Sequence, residues 1–98
     1  MNWEVDLTRV EKWFQKLTDG QAASVSKELW LLRELGPELR LPHSRALGSG
    51  LFELRERAYG FRLYYYFDRS SKTIIIVLRA GSKTSQQQDI NKARKEMP

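Results

Sequence analysis

The chain reads as an α+β fold: a small antiparallel β-sheet, made of an N-terminal strand and a three-stranded meander, packed against an N-terminal α-hairpin and closed by a C-terminal helix. Three observations predict it. Two consecutive stretches of helical periodicity follow a short alternating segment; three further alternating segments succeed one another with short links, which favour antiparallel pairing; and a polar stretch with helical charge bias ends the chain. The length is 98 residues. A chain of this size buries only about 60–65% of its unfolded surface, so one core, and one domain over residues 1–98, is expected.

Residues 2–7, Asn-Trp-Glu-Val-Asp-Leu, place Trp3, Val5 and Leu7 on one side, the period of a half-buried strand. Thr8 with Glu11 three residues later reads as a capping box, after which Val10, Trp13, Phe14 and Leu17 recur at helical spacing until Asp19-Gly20. A second helix is expected from Gln21 to Leu35, because Ala22, Val25, Leu29 and Leu32 form one stripe and Gly36-Pro37 supplies a stop. The Asp-Gly pair between them predicts the turn of the hairpin. Gly36 to Gly50, with Pro37, Pro42, Gly48 and Gly50, reads as a connector crossing the surface. The meander comprises Leu51–Arg57, Phe61–Asp68 and Thr73–Ala80. A last helix from Gln86 to Lys95 is expected to be capped by Ser82, Thr84 or Ser85, with Asp89 in its first turn and Lys92, Arg94 and Lys95 complementing the dipole at its end.

Composition narrows the chemistry. The chain carries 17 Lys+Arg against 12 Asp+Glu, a formal charge of +5, and residues 1–49 are balanced, so the whole surplus lies in the second half. There is no cysteine and one histidine, which removes disulfides, thiolate catalysis, Cys-type zinc sites and His-rich metal shells. No phosphate-cradling glycine loop and no Ser/His/Asp arrangement occurs, so no cofactor or metal is expected. No run approaches the ~20 apolar residues of a membrane span, and the N-terminus lacks a leader pattern, so a cytoplasmic protein without membrane contact is the expectation.

Strand parity concentrates the surplus. Glu53, Arg55 and Arg57 share one side of their strand, as do Arg62, Tyr64, Tyr66 and Asp68 of the next, while Phe61, Leu63, Tyr65 and Phe67 form the opposite, core-facing set. On the third strand Ile75, Val77 and Arg79 form the matching set. Aligning these sets predicts a face of Arg55, Arg57, Arg62, Tyr64, Tyr66 and Arg79, with Lys83 at its rim. Guanidinium groups neutralise phosphates and tyrosine rings stack unpaired bases, so such a face suits single-stranded RNA. DNA or an acidic protein would also match its charge. Open sheet faces ordinarily carry solvated arginines; four of them with two tyrosines, offset by Glu53 and Asp68, form a denser cluster than solvation requires. His43, in the connector beside Pro42, is a candidate general acid or base if the connector brings it over this face. An enzyme built from these residues would otherwise rest on arginine, lysine and tyrosine.

The order of elements resembles the RelE/HigB-like toxins of bacterial type II toxin–antitoxin modules. Gly36-Pro37-Glu38-Leu39, Leu41-Pro42-His43 and Leu47-Gly48-Ser49-Gly50-Leu51-Phe52-Glu53-Leu54-Arg55 look like the phage-related HigB, or addiction-module killer, branch. Gly60-Phe61-Arg62-Leu63-Tyr64-Tyr65 matches its central strand, and Gly81-Ser82-Lys83-Thr84-Ser85-Gln86-Gln87-Gln88-Asp89-Ile90 its ending; together the motifs cover residues 29–94. The resemblance implies a RelE-like fold and a ribosome-dependent endoribonuclease that enters the A site, cuts messenger RNA and inhibits translation. It implies as partner a cognate DNA-binding antitoxin, through which operator DNA is bound indirectly. Arg62 and Lys83 match the family's principal phosphate-contacting residues and Arg55 a further basic position. Glu53 stands where some RelE proteins carry a lysine, and no tyrosine occurs in the last helix, where Asp89 and its glutamine neighbours stand instead. Proton transfer then falls to Glu53 as a base, or to Tyr64, Tyr66 or His43, while Glu53 can equally be a salt-bridge partner that keeps the arginines apart. The catalytic candidates are thus Arg62, Lys83, Arg55, Glu53 and His43, with Arg45, Arg57, Tyr64, Tyr66 and Arg79 as RNA contacts. The other readings are a ParE-type toxin acting on DNA gyrase and a non-catalytic RNA- or antitoxin-binding module.

Overall fold

The alternating segments of the second half pair as the parity pattern predicts. In the computed structural model, which describes residues 2–71 and 73–98, β3 (Leu51–Glu56), β4 (Phe61–Phe67) and β5 (Ile74–Ser82) form an antiparallel meander. Two more strands extend it into a five-stranded sheet of order β1-β5-β4-β3-β2, with β1 at Glu4–Asp6 and β2 at Ser44–Gly48. β1 runs parallel to β5, so the sheet is mixed rather than wholly antiparallel. The reason is topological: the chain leaves β1, crosses one face as α1 (Glu11–Gln15) and α2 (Asp19–Leu35), and reaches β5 only after the sheet has reversed three times.

β2 occupies part of the stretch expected as connector. Its signal is weak because Ser44, Arg45 and Ala46 lack the β-branched and aromatic residues that mark strands. The Gly48-Ser49-Gly50 turn, with φ of 92°, 55° and 86°, joins it tightly to β3.

The helical layer also departs from expectation in detail. Residues Thr8–Val10 form a 3-10 turn ahead of a short α1, and no side chain caps either; Asp6 Oδ1 accepts the Thr8 amide instead. The capping box belongs to α2, where Thr18 Oγ1 accepts from the Gln21 amide at 3.2 Å and Gln21 Oε1 accepts from the Thr18 amide at 2.9 Å. Asp19 and Gly20 therefore lie in the first turn of α2, not in a turn between helices. α2 ends as expected at Gly36, whose φ of +52° and lack of a side chain let the indole of Trp3 pack where a Cβ would lie 2.3 Å from its Nε1.

Two apolar layers flank the sheet. Val25, Leu29 and Leu32 of α2 pack on Leu54, Leu63, Tyr65, Ile75 and Val77, with Trp13, Phe14, Phe61 and Phe67 around them. On the other face α3 (Gln86–Glu96) lays Ile90 and Ala93, followed by Met97, over Leu51, Tyr64, Tyr66 and Leu78. Parity fails on β5 at a bulge: Tyr64 pairs with Arg79 and Tyr65 with Val77, leaving Leu78 extra. Ile75 and Val77 accordingly join the α2 side, and Arg79 reaches the α3 side only because the bulge resets the alternation. The predicted side-chain caps of α3 are not formed: Ser85 Oγ bonds to Asp89 Oδ2 at 2.6 Å. Among the described residues, no helix is long and apolar enough to cross a membrane.

Candidate nucleic-acid interface

Sheet register assembles the basic residues. Directly opposed residues share a face, so pairing of Arg45 with Glu53, Glu53 with Tyr64 and Tyr64 with Arg79 makes one row across four strands. Arg55, Arg62 and Gly81 make the next. At the intersection lies Glu53, fully buried. Its Oε1 is 3.4 Å from Arg45 Nη2 and 3.9 Å from Arg55 Nε; its Oε2 is 3.6 Å from Arg62 Nε and accepts a 2.8 Å hydrogen bond from Gln86 Nε2 at the start of α3.

The ion-pair distances exceed hydrogen-bond length, so the guanidiniums are drawn together without committing their donors to Glu53. Glu53 Oε1, Arg62 Nε and Tyr64 Oη are buried and have no hydrogen-bond partner among the described residues. Three orphaned polar atoms on neighbouring positions of one sheet face mark a place built for additional polar contacts. Arg62 is itself buried and donates from Nη1 to the Gly60 carbonyl at 3.2 Å, which fixes its direction. Burial, reinforced by the charges of Glu53 and Asp89, pushes the Tyr64 phenol well above its ordinary pKa, so Tyr64 stays neutral with its hydroxyl proton free to be donated.

A second carboxylate sets the geometry. Glu56, buried at the end of β3, accepts from the amides of Ala58 at 2.8 Å, Tyr59 at 3.1 Å and Phe61 at 3.3 Å and from Ser24 Oγ at 2.7 Å. It shapes the turn that delivers Arg62 to the cluster. Neither Glu56 nor Gln86 was expected from the sequence; an acid shortly before a Gly-containing turn was the available signal for the first.

The other candidates divide. Lys83 is exposed in the 3-10 turn Lys83–Ser85 directly after β5, whose last residue pairs with Phe61, so it stands at the rim beside Arg62. Arg57 is exposed in the β3–β4 turn. Arg79 is held by Glu96 of α3 at 2.6 Å. Tyr64 and Tyr66 do not offer open rings for base stacking: they are 0% and 9% exposed beneath α3, because Ala93, Ile90 and Met97 cover the face expected to be free. His43 does not approach the cluster either; its Nδ1 lies 2.9 Å from Glu28 Oε1 of α2, on the opposite layer. Among the described residues no group of three or more His, Cys, Asp or Glu side chains gathers in a metal-binding arrangement.

The assembled surface, Arg45, Arg55 and Arg62 around Glu53 with Lys83 at the rim, is thus suited to a phosphate or another polyoxygen anion. Comparison with known proteins places the architecture. The family model described as phage derived protein Gp49-like (DUF891) matches residues 12–98. A mutant of the E. coli toxin RelE in the free state superposes over 100% of both chains with a TM-score of 0.76 and 20% identity. RelE in the intact E. coli RelBE toxin–antitoxin complex matches 84% of this chain and 96% of that one, with a TM-score of 0.63 and 23% identity. RelE with a peptide of the antitoxin RelB matches 90% of this chain and 94% of that one, at 0.59 and 17%. No curated protein sequence matches significantly. The chain therefore belongs to the phage-derived Gp49-like family and has the RelE fold.

Proposed function

We propose that this protein is the toxin of a type II toxin–antitoxin pair and acts as an endoribonuclease on messenger RNA at the ribosomal A site. The observation that carries the reading is the convergence of Arg45, Arg55 and Arg62 on one buried carboxylate, with Lys83 at the rim and three buried polar atoms left open, on a RelE fold. In RNA the 2′-hydroxyl can attack the adjacent phosphorus, forming the new P–O bond as the P–O5′ bond breaks; a 2′,3′-cyclic phosphate and a 5′-hydroxyl result. The protein then supplies no nucleophile. It holds the phosphate in line and stabilises the charge added in the transition state, tasks that fixed guanidiniums in a partly water-excluded site perform well. Arg62, oriented by Gly60 and buried, is the principal contact; Arg55, Arg45 and Lys83 are secondary. Glu53, among the guanidiniums and Gln86, is placed to hold the arginines together.

The partner in this reading is an antitoxin that carries its own DNA-binding domain and brings operator DNA to the complex indirectly, and the site of action is the cytoplasm. In the solved complexes it is RelE that is found with RelB. The test is to incubate the purified protein with translating ribosomes and a defined transcript and map new 5′ ends by primer extension. New ends with the parent and their loss with Arg62→Ala support the proposal. No ends, together with inhibition of DNA supercoiling, would establish the gyrase-directed reading instead; RNA binding without cleavage would establish a non-catalytic module.

A further inference from the structure

Glu53 presents a physical conflict. A surface meant to receive phosphate has a carboxylate at its centre, fully buried and within 4 Å of three guanidinium nitrogens. We propose that Glu53 is an internal counter-anion of this site: it gathers Arg45, Arg55 and Arg62 in the free protein and competes with a phosphodiester for them, so that it lowers the affinity of the cluster for RNA. This rests on the RNA reading above and concerns the regulation of the same site.

The argument is one of charge and geometry. Three arginines around one carboxylate leave a local charge of +2, where a neutral residue at position 53 would leave +3, so the carboxylate weakens the attraction of the cluster for any phosphate that enters it. Without any anion, three converging guanidiniums would repel one another and splay into water. The contacts at 3.4, 3.9 and 3.6 Å supply attraction without strong hydrogen bonds. Among the described residues only Gln86, at 2.8 Å, binds the carboxylate closely, so Glu53 is kept in place by α3 when the arginines turn to a ligand. The orphaned Glu53 Oε1 and Arg62 Nε are what such a loose pairing leaves behind.

Glu53→Gln is the isosteric test. The probe is a single-stranded 2′-O-methyl RNA oligonucleotide, which lacks the attacking hydroxyl. Binding by the variant is expected to be about tenfold tighter than by the parent, about 1.4 kcal/mol. Its dependence on log salt is expected to steepen by roughly 0.7, as one more phosphate charge is neutralised on a single strand. Glu53→Asp retains the charge and should restore the parental salt slope. Equal or weaker binding by a Gln variant that melts like the parent overturns the proposal. Should Glu53→Gln not fold, the parent decides: the side-chain carboxyl carbon of Glu53 and the Nε–H of Arg62 must shift together in NMR as the oligonucleotide saturates, and an unmoved Glu53 signal overturns the claim. If neither protein binds the oligonucleotide, the RNA reading fails. The same pair titrated with sulfate still tests Glu53: tighter binding by the Gln variant sustains the claim and equal binding overturns it.

Discussion

Removing the Arg62 guanidinium should damage catalysis far more than folding, and the structure sets both magnitudes. Arg62 is 9% exposed, makes one hydrogen bond to the Gly60 carbonyl and one ion pair to Glu53. In Arg62→Ala the carboxylate still has Arg45, Arg55 and Gln86, so no uncompensated charge is left buried. The stability cost is then that of one charge-assisted hydrogen bond, about 1.5–3 kcal/mol. With about 4–8 °C per kcal/mol for a domain of this size, the melting temperature should fall by roughly 6–24 °C, and a typical stability of about 5–15 kcal/mol leaves the variant folded at 25 °C. Transition-state stabilisation is lost more completely. Deleting one preorganised donor to a developing oxyanion costs about 10²–10³ in rate, or roughly 2.7–4 kcal/mol. The assay is single-turnover cleavage of a reporter transcript on ribosomes at 25 °C, with folded fraction measured in parallel. Arg62→Lys, which keeps the charge and loses the planar fork, should fall between parent and Ala variant. An Ala variant that is fully folded and cuts within threefold of the parent would refute the assignment.

Three further outcomes follow from particular contacts. Thr18→Ala removes half of the capping box on α2 and should lower stability by about 1 kcal/mol, measured by denaturant titration; an unchanged midpoint would show that the box does not support α2. Gly81→Ala places a Cβ 2.2 Å from Asp89 Oδ2 and 2.7 Å from Ser85 Oγ, so both side chains must move and their hydrogen bond at the start of α3 should break; the Gln86–Glu53 contact beside it is expected to be displaced, visible as a shifted Gln86 side-chain amide signal in NMR. Unperturbed Gln86 resonances would contradict this coupling. Burial raises the Tyr65 phenol to about 12, against a hydrogen bond with Ser44 that lowers it. Because the folded value lies above the unfolded one near 10, this contribution to stability is complete below pH 10 and is lost as pH rises toward 12. Denaturant midpoints should therefore fall over that window, and Tyr65→Phe should flatten the fall; an identical slope in the variant would exclude Tyr65 as its source.

What could be read along the chain was whatever depends on local periodicity. The stripe Val25, Leu29 and Leu32 determined the buried face of α2, and Gly36-Pro37 its end. The alternation in β3 and β4 placed Glu53, Arg55, Arg62 and Tyr64 on one face, since a strand alternates whatever it pairs with. β2 was not legible because its composition resembles loop, and only pairing with β3 makes it a strand. Thr8 and Thr18 both satisfy the spacing of a capping box, and only the packed helix selects Thr18.

The amino-acid sequence by itself determined the α+β class, the location of the positive surplus in the second half and the arginines able to meet on one face. Tertiary structure alone decided the parallel seat of β1, the bulge that turns Arg79 toward α3, the burial of Tyr64 and Tyr66, the removal of His43 to Glu28, and the central place of Glu53. The physical reason is range. Helical and strand periodicity are set by neighbours in the chain, whereas which face is covered, which charges meet and which polar atoms lose water depend on register and packing between segments far apart in sequence.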